Sequence, residues 1–528
     1  MIPLKKVIRF KVKHMLSITF ISLFIAMILY FSFPSILLKM GEKFSHDGDY
    51  FKAKTYYDKI NENFPKASVT ESALEKAGYV SAIHNKIMIS SSGFGPIYNS
   101  NHYIFPETRA YYEEILQRFP RGLSAQRVRY NLLIPDVQGE VLHGNVEEAI
   151  EMIKSFYANI HNETPRYMNA YTINGAIQAF EVKGYDEEAK DLLRWIIDYE
   201  DDWEKNIFQD YLSRLENSKD AYGSVTGKVS LRGKSFKNIP VFLQYQDTPD
   251  GTLYGFTQEA FWAITDNNGN FEFPNIPEGR YTVGLIGDLD QIGDTVLQGN
   301  PFEHTDFTIE KGQTYDFNIS FVDRMKIISP VDGEEIKEDF IQFQWEPLEG
   351  AAYYTIALGI SFEGASGTRI YGKYNTNEAL VSKEDILYLH NFHTFDEEGP
   401  IPEPFFGFMN PKGQLFWGVH AYDENDRLLS SSIGYIRDES TEFSIGEIEL
   451  TEGDKKLLKR DYAGAIESYE QSLAENKEDI HSLLMLARLY NFEQKLSNYT
   501  YGNKEKAKEY YRRLHKITGN EIFLENSN

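Results

Sequence analysis

The densest gathering of imidazole and carboxylate side chains in this 528-residue chain is His390, His393, Asp396, Glu397 and Glu398. A His-x-x-His pair with acids beside it is zinc chemistry when a helix brings the two imidazoles together. Here the stretch holds Asn, Phe and Thr, and the run passes into Gly399-Pro400, so a loop is expected rather than a zinc site. Asp266-Asn267-Asn268-Gly269-Asn270 has the oxygen-rich start of a calcium loop but lacks a glutamate at the twelfth position, and a turn between strands accounts for it better. The acid pairs Glu147-Glu148 and Glu187-Glu188 fall where helices begin, where they complement the helix dipole rather than move protons. No G-x-S-x-G, Walker A, H-E-x-x-H or G-x-G-x-x-G string occurs. With no cysteine, disulfides, thiolate nucleophiles, iron–sulfur clusters and Cys-type zinc sites are excluded together. No catalytic, cofactor-binding or metal residue is assigned, and no cofactor is expected.

The elements that would position any site follow from a phrase that recurs five times: a turn residue, then alanine five positions later. It reads Gly48–Ala53, Gly144–Ala149, Gly184–Ala189, Arg460–Ala465 and Gly502–Ala507, with a bulky residue four positions beyond each alanine: Tyr57, Ile153, Leu193, Tyr469 and Tyr511. Two antiparallel helices meet in this way, with a tight turn followed by a small residue where they press closest. Residues 37–65 add Leu37, Met40, Gly41 and Phe44 in a first helix, Tyr50, Ala53, Tyr57 and Ile60 in a second, and Pro65 at the end. The spacing Gly41, Ala53, Tyr57, Pro65 resembles the tetratricopeptide repeat, which implies an array that binds proteins rather than a reaction centre. Tyr112, Ile115 and Pro120 repeat the second-helix ending, after an insertion Ile89–Tyr103 whose Ser, Gly, Pro and Asn read as a loop. Helix pairs are expected over about 125–160 and 166–200, with a closing helix at Trp203–Leu215 and a linker at Asn217–Tyr222.

Met15–Leu38 holds no charged residue and exceeds the roughly 20 residues that span a bilayer. Lys5, Lys6, Arg9, Lys11 and Lys13 precede it, which predicts a cytoplasmic N-terminus and an external body. A cleaved signal peptide is the competing reading, although the run is long and Ser32-Phe33-Pro34-Ser35 is a poor cleavage signal. Net charge is −25 overall, leaving about −30 after the basic tail, which argues against nucleic-acid binding. An anchored protein without disulfides fits a Gram-positive-type envelope.

From Gly223 the period changes from helical to alternating. Gly223-Ser224-Val225-Thr226-Gly227-Lys228-Val229, Thr265–Phe273 and Ile276–Val283 carry the pattern G-x-V-x-G-x-V, then T-D-x-x-G-x-F-x-F, then G-x-Y-x-V. The pattern resembles the carboxypeptidase regulatory-like (transthyretin-like) sandwich. Asn268-Gly269 would supply positive φ for a tight hairpin, and Phe271, Phe273, Tyr281 and Val283 alternate onto one face. Ser329-Pro330, Phe343–Pro347 around Trp345, Ala351–Ile356 and Leu415–Asp423 around Trp417 resemble a fibronectin type III domain, with both tryptophans in the core. Residues 379–413 are an insertion for which that domain has no room. After Glu452 the helical period returns, through Gly453, Tyr462, Ala465 and Tyr469, then Leu483, Leu486, Ala487, Tyr490, Ala507 and Tyr511, with an insertion at about 493–501.

The expected fold class is multidomain α and β: a transmembrane helix, an N-terminal tetratricopeptide-like α-solenoid, two β-sandwiches and C-terminal tetratricopeptide-like helical hairpins. The domains expected are 1–14 cytoplasmic basic tail, 15–38 anchor, 36–217 helical repeats, 223–325 first sandwich, 326–447 second sandwich, 448–520 helical repeats and 521–528 tail. Two surfaces are candidates for binding. One is the concave face lined by first helices of the N-terminal repeats; the other is Phe405-Phe406-Gly407-Phe408-Met409, which must either pack on its own domain or bind something. The function expected is a non-catalytic, membrane-anchored extracytoplasmic scaffold with a protein or peptide partner. A protein that binds cell-wall carbohydrate is the main alternative, and an enzyme or regulatory ectodomain is the third.

Overall fold

The computed structural model describes residues 32–90, 93–96, 106–160, 166–199, 203–217, 222–245, 260–299, 307–362, 365–389, 395–396, 399–435, 439–446, 448–492 and 499–525. They divide into two compact units, one of Met1–Ile292 with Pro301–Ser320, the other of Gly293–Asn300 with Phe321–Asn528. The basic tail and positions 15–31 of the expected anchor lie outside the described residues. Positions 32–38 instead open helix α1 (32–46), the first helix of the repeat array. Among the described residues no helix is long and apolar enough to cross a membrane.

The first unit begins with α1, α2 (Tyr50–Asn63), α3 (Thr70–Ile83), strands β1 (Lys86–Ser90) and β2 (Gly93–Pro96), then α4 (Pro106–Arg118), α5 (Leu123–Leu142), α6 (Val146–Ile160), α7 (Arg166–Val182), α8 (Asp186–Tyr199) and α9 (Trp203–Asn217). The recurring alanines and their i+4 partners are the points of closest packing, none more than 3% exposed. Gly41 shows how close the helices come: a Cβ there would lie 2.4 Å from the Tyr57 ring, and Gly453 stands 2.4 Å from Tyr469 in the same way. Gly48, Gly144, Gly184 and Arg460 turn the chain with φ of 78°, 82°, 77° and 62°. The residue after the turn then caps the new helix, Asp49 accepting from the Lys52 N–H at 3.0 Å and Asp461 from the Gly464 N–H at 2.9 Å. Gly502 breaks the pattern, having no positive φ, because its helix is entered from the 493–501 insertion and not from a preceding helix end.

The β-module of this unit holds β3 (Tyr222–Leu231), β4 (Lys234–Ser235), β5 (Pro240–Tyr245), β6 (Ala260–Ile264), β7 (Asn270–Pro277), β8 (Gly279–Asp288), the single turn α10 (Leu289–Ile292), β10 (Phe307–Ile309) and most of β11 (Thr314–Asp323); β9 (Thr295–Leu297) belongs to the second unit. One sheet runs β2-β1-β8-β5-β6, and the other is built on β3 with β7, β11 and β4 as its partners. Two expectations are corrected here. The turn at Asn268-Gly269 is not a hairpin within one sheet: β6 pairs with β5 and β7 with β3, so it carries the chain from one sheet to the other. Only Gly269 has positive φ, 78°. Nor is the start of the 89–103 insertion a loop. Strand β1 pairs with β2 on one side and with β8 on the other, Met88 lying opposite Gly95 and Ile286. The ten-residue strand β8 is covered by β10 only at Gly279–Tyr281, and β1 takes the exposed remainder of that edge, Leu285–Asp288.

In the second unit β12 (Ile327–Ser329), β14 (Phe340–Trp345) and β17 (Glu378–Ser382) form one sheet; β13 (Glu334–Glu335), β15 (Tyr353–Phe362), β16 (Ala365–Tyr374), β20 (Gln414–Tyr422), β21 (Leu428–Ser431) and β22 (Glu442–Ser444) form the other. Trp345 and Trp417 lie in the shared core as expected, 0% and 1% exposed. The insertion folds into α11 (Lys383–Tyr388), a short pair β18 (Phe395–Asp396) and β19 (Gly399–Pro400), α12 (Glu403–Phe406) and a 3-10 turn, Gly407–Met409. The chain ends in α13 (Glu452–Leu457), α14 (Tyr462–Glu475), α15 (Ile480–Asn491), α16 (Lys504–Thr518) and α17 (Ile522–Glu525). The last helix corrects the expected tail at 521–528, since Phe523 is buried against Tyr388 with ring centroids 5.1 Å apart.

Candidate functional site

Among the described residues of the first unit, two concave surfaces stand out. The larger, about 950 Å³, has α5 and α7 on one side and β3, β6, β7 and β11 on the other. These are the first helices of the third and fourth pairs, the surface expected to meet a peptide, so the chain's own β-module bounds that face. The helical wall offers Gln138, Val141, Leu142, Gln178, Val182 and Lys183. Opposite lie Trp262 and Ile264 from β6, and Lys228, Asn270, Glu272 and Asp316 from the outward side of the β3 sheet. Gln178 is 4% exposed, and its Oε1 has no hydrogen-bond partner. Asn174, one helical turn earlier and 3% exposed, has an Oδ1 in the same condition.

Asp266, at the edge of this cleft, is already committed to its turn. One carboxylate oxygen accepts from the Asn268 and Asn270 N–H groups at 2.8 Å each. The Asn270 hydrogen bond leads the causes that hold its carboxyl below the ordinary range. The residues of the faint calcium pattern therefore serve the crossover between sheets. Of the zinc-like cluster, His390, His393, Glu397 and Glu398 lie outside the described residues, while Asp396 ends β18. Among the described residues no group of three or more His, Asp or Glu is placed to hold a metal ion. Glu147-Glu148 and Glu187-Glu188 occupy the first turns of α6 and α8.

The second surface is a groove of about 740 Å³ across α4, α5 and α6. Leu116, Leu132, Leu133, Met152 and Phe156 make an apolar floor, and Arg129, Asp136, Glu148 and Glu151 a charged rim. Asp136 is held by Arg109 at 2.8 Å, which orders that side of the rim.

The aromatic insertion is not an exposed surface. Phe405, Phe406 and Met409 are buried in one core with the C-terminal helices, while Phe408 turns into the sandwich core. Arg488 of α15, 1% exposed, holds the joint by donating to the carbonyls of Phe405 (3.1 Å), Phe406 (2.7 Å), Tyr388 (3.0 Å) and Leu389 (3.1 Å). Burial lowers its pKa to about 10, so it stays a cation at neutral pH. A second buried group, Asp454, accepts from Tyr469 Oη (2.6 Å) and the Thr451 N–H (2.8 Å) and pairs with His481 Nε2 (2.8 Å), tying α13, α14 and α15 together. Burial alone would raise the Asp454 carboxyl, but His481, Tyr469 and Thr451 hold it below its ordinary value. Sequence reasoning passed over Gln178, Arg488 and Asp454. Arg488 had a signal: Leu483–Tyr490 is apolar around every face of the helix except at that position.

The tetratricopeptide repeat family matches residues 36–67. No curated protein matches the chain. Among solved structures it is similar to a DUF3823 family protein from Parabacteroides merdae, at 12% identity and TM-score 0.16, covering 42% of this chain and 98% of that one. It is also similar to a candidate carbohydrate-binding protein from Bacteroides uniformis (11%, TM-score 0.14, 43% and 99%) and to the major pilin subunit BcpA of Bacillus cereus (12%, TM-score 0.14, 42% and 69%). Likeness of this depth leaves function to be argued from this chain's own residues.

Proposed function

We propose that this chain is a non-catalytic, membrane-anchored, extracytoplasmic scaffold of a bacterial envelope that holds another protein through its N-terminal helical array. The observation that carries the reading is the α4–α6 groove: an apolar floor inside a charged rim, on an array whose first pair matches a protein-binding repeat. Anchoring rests on the uncharged run Met15–Leu38 and the five basic residues before it. The two sandwiches, one carboxypeptidase regulatory-like and one fibronectin type III-like in sequence pattern, serve as rigid spacers and mounts.

Affinity purification of the full chain from envelope extract tests the binding, with a Met152→Glu/Phe156→Glu variant beside it. A stoichiometric protein recovered with the native chain and lost with the variant is expected; no such protein with the native chain overturns the scaffold. Protease treatment of intact cells should degrade the body, and a protected body would overturn the topology.

A further inference from the structure

Helix α1 carries an apolar face that the repeat array does not use. Leu37 enters the first core and Gly41 lies against the Tyr57 ring. Phe33, Ile36 and Met40, at i, i+3 and i+7, share another face and stay 47%, 47% and 38% exposed. The start of α1 lies at the end of the array where α2 and α4 finish and α3 and α5 begin. There the Phe33 ring meets Phe64, just beyond α2, at 5.9 Å between centroids. Arg118 of α4 donates to the Pro65 carbonyl at 2.9 Å, and the Ser124 N–H of α5 donates to Glu71 of α3 at 2.6 Å. The two turns at this end repeat one phrase, Phe64-Pro65-Lys66 and Phe119-Pro120-Arg121. Lys66 and Arg121 are the single charges of turns 64–69 and 119–122, and both are exposed. Leu123 follows at once, 76% exposed. Glu62, on the last turn of α2, is exposed as well, and Lys59 three residues before it offsets its charge. The turn at the other end of α1 holds Asp47 and Asp49 instead.

On a chain of net charge −25, this end is thus a basic cap with bulky apolar side chains among its cations. The chain itself points to what covers it. The uncharged run that starts at Met15 enters α1 here, so a bilayer holding that run stands against this end of the array. Apolar side chains flanked by lysine and arginine suit a lipid interface, where the cations reach anionic headgroups. We propose that this end of the array is a second membrane contact: Phe33, Ile36 and Leu123 enter the interface of an anionic bilayer, and Lys66 and Arg121 meet its headgroups. The contact rests on the anchor reading above and adds that the array stands on the membrane by its two Phe-Pro-basic turns.

Without a native cysteine, the full chain accepts single labels. Leu123→Cys and Leu142→Cys place one fluorophore at either end of the 20-residue α5, about 30 Å apart. In phosphatidylcholine–phosphatidylglycerol vesicles carrying a doxyl-lipid quencher, the Leu123 label should be quenched about twofold or more relative to the Leu142 label. Ser68→Cys, in the neighbouring turn, reports the same contact should Leu123→Cys fold poorly. Lys66→Glu/Arg121→Glu should remove most of the difference, as should vesicles of phosphatidylcholine alone, while the chain still floats with the vesicles. A chain that floats but is quenched equally at both ends of α5 overturns this contact and leaves the anchor standing. A chain that does not float overturns the anchor, and this contact with it. A blue shift at Leu123 that needs no lipid and grows with protein concentration assigns the surface to a second copy, and equally overturns the lipid contact.

Discussion

In the first unit the helical array is joined to its β-module by backbone: strand β1 leaves α3 at Asn85 and pairs along β8 from Leu285 to Asp288. In the second unit the joint is a side chain, with Arg488 of α15 donating to four carbonyls of the sandwich insertion while Phe405, Phe406 and Met409 enter the helical core. The two differ in what can be lost. A strand ladder is a property of nearly any sequence that stays extended, so its residues are replaceable provided none is proline. A buried guanidinium is a single donor group that four carbonyls share.

Arg488→Met is the sharpest way to break the contrast. It removes the donor that four carbonyls share in a closed core, with Leu389 O keeping the Phe408 N–H at 3.3 Å, and about 3–5 kcal/mol of stability should be lost from the second unit. Urea unfolding, with hydrogen exchange at 403–409, should show the insertion opening first. A variant within about 1 kcal/mol of the native chain would mean that the aromatic packing alone makes the joint.

Met88→Pro is the corresponding break in the first unit. Met88 has strand partners on both sides, so its single N–H meets a neighbouring strand whichever way it points; proline removes that one ladder bond and its ring crowds the strand, and a loss of about 2–3 kcal/mol is expected. The hairpin should then become a protease-sensitive site while α5 to α8 stay protected. Gly407→Ala should follow at about 2 kcal/mol in the second unit. Its φ is 55°, and a Cβ would lie 2.5 Å from the Leu389 carbonyl oxygen, the acceptor that Arg488 uses. Thermal melts of this variant and Arg488→Met should be non-additive, because both act on one cluster.

How much of this was legible follows from the range of each interaction. The five turn-to-alanine phrases are local, i to i+5 and i+4, and the helical pairs stand where those residues place them. The alternation in 223–323 likewise marks the strands, and the paired tryptophans mark the second core. Partner choice between strands is non-local. Ile87 and Ile89 alternate into the interior, yet only β8, far later in the chain, explains why 86–90 and 93–96 are strands and not a loop. The same holds for the sheet-to-sheet turn at Asn268-Gly269 and for the carbonyls that Arg488 finds. At the candidate cleft, no local spacing connects Gln178 to the acids on β7 and β11; the fold alone brings them together.

Acid should separate the units by a smaller margin. His420 on β20 has its pKa lowered to about 4 by burial, and its Nδ1 has no hydrogen-bond partner. The folded state therefore keeps it neutral while the unfolded chain takes up a proton near pH 6.5. The unfolded state binds more protons between these values, so stability is full above about pH 6.5 and falls as the pH drops toward 4. The melting temperature of the second unit should decline over that window, and His420→Gln should flatten the slope. An unchanged slope would assign the decline to other groups.

Lys86→Ala should have the smallest effect and so sharpens the comparison most directly. Lys86 is paired with Asp288 across β1 and β8, the most conspicuous side-chain bond at the first joint. Its partners keep 15% and 22% exposure, so water screens part of the attraction, and about 1 kcal/mol or less should be lost. The residue still contributes its backbone to the ladder after substitution, which is the part that joins helix to sheet. A loss near that of Arg488→Met would show that the first joint also depends on one buried charge, and the distinction between a joint made by backbone and one made by a side chain would fall.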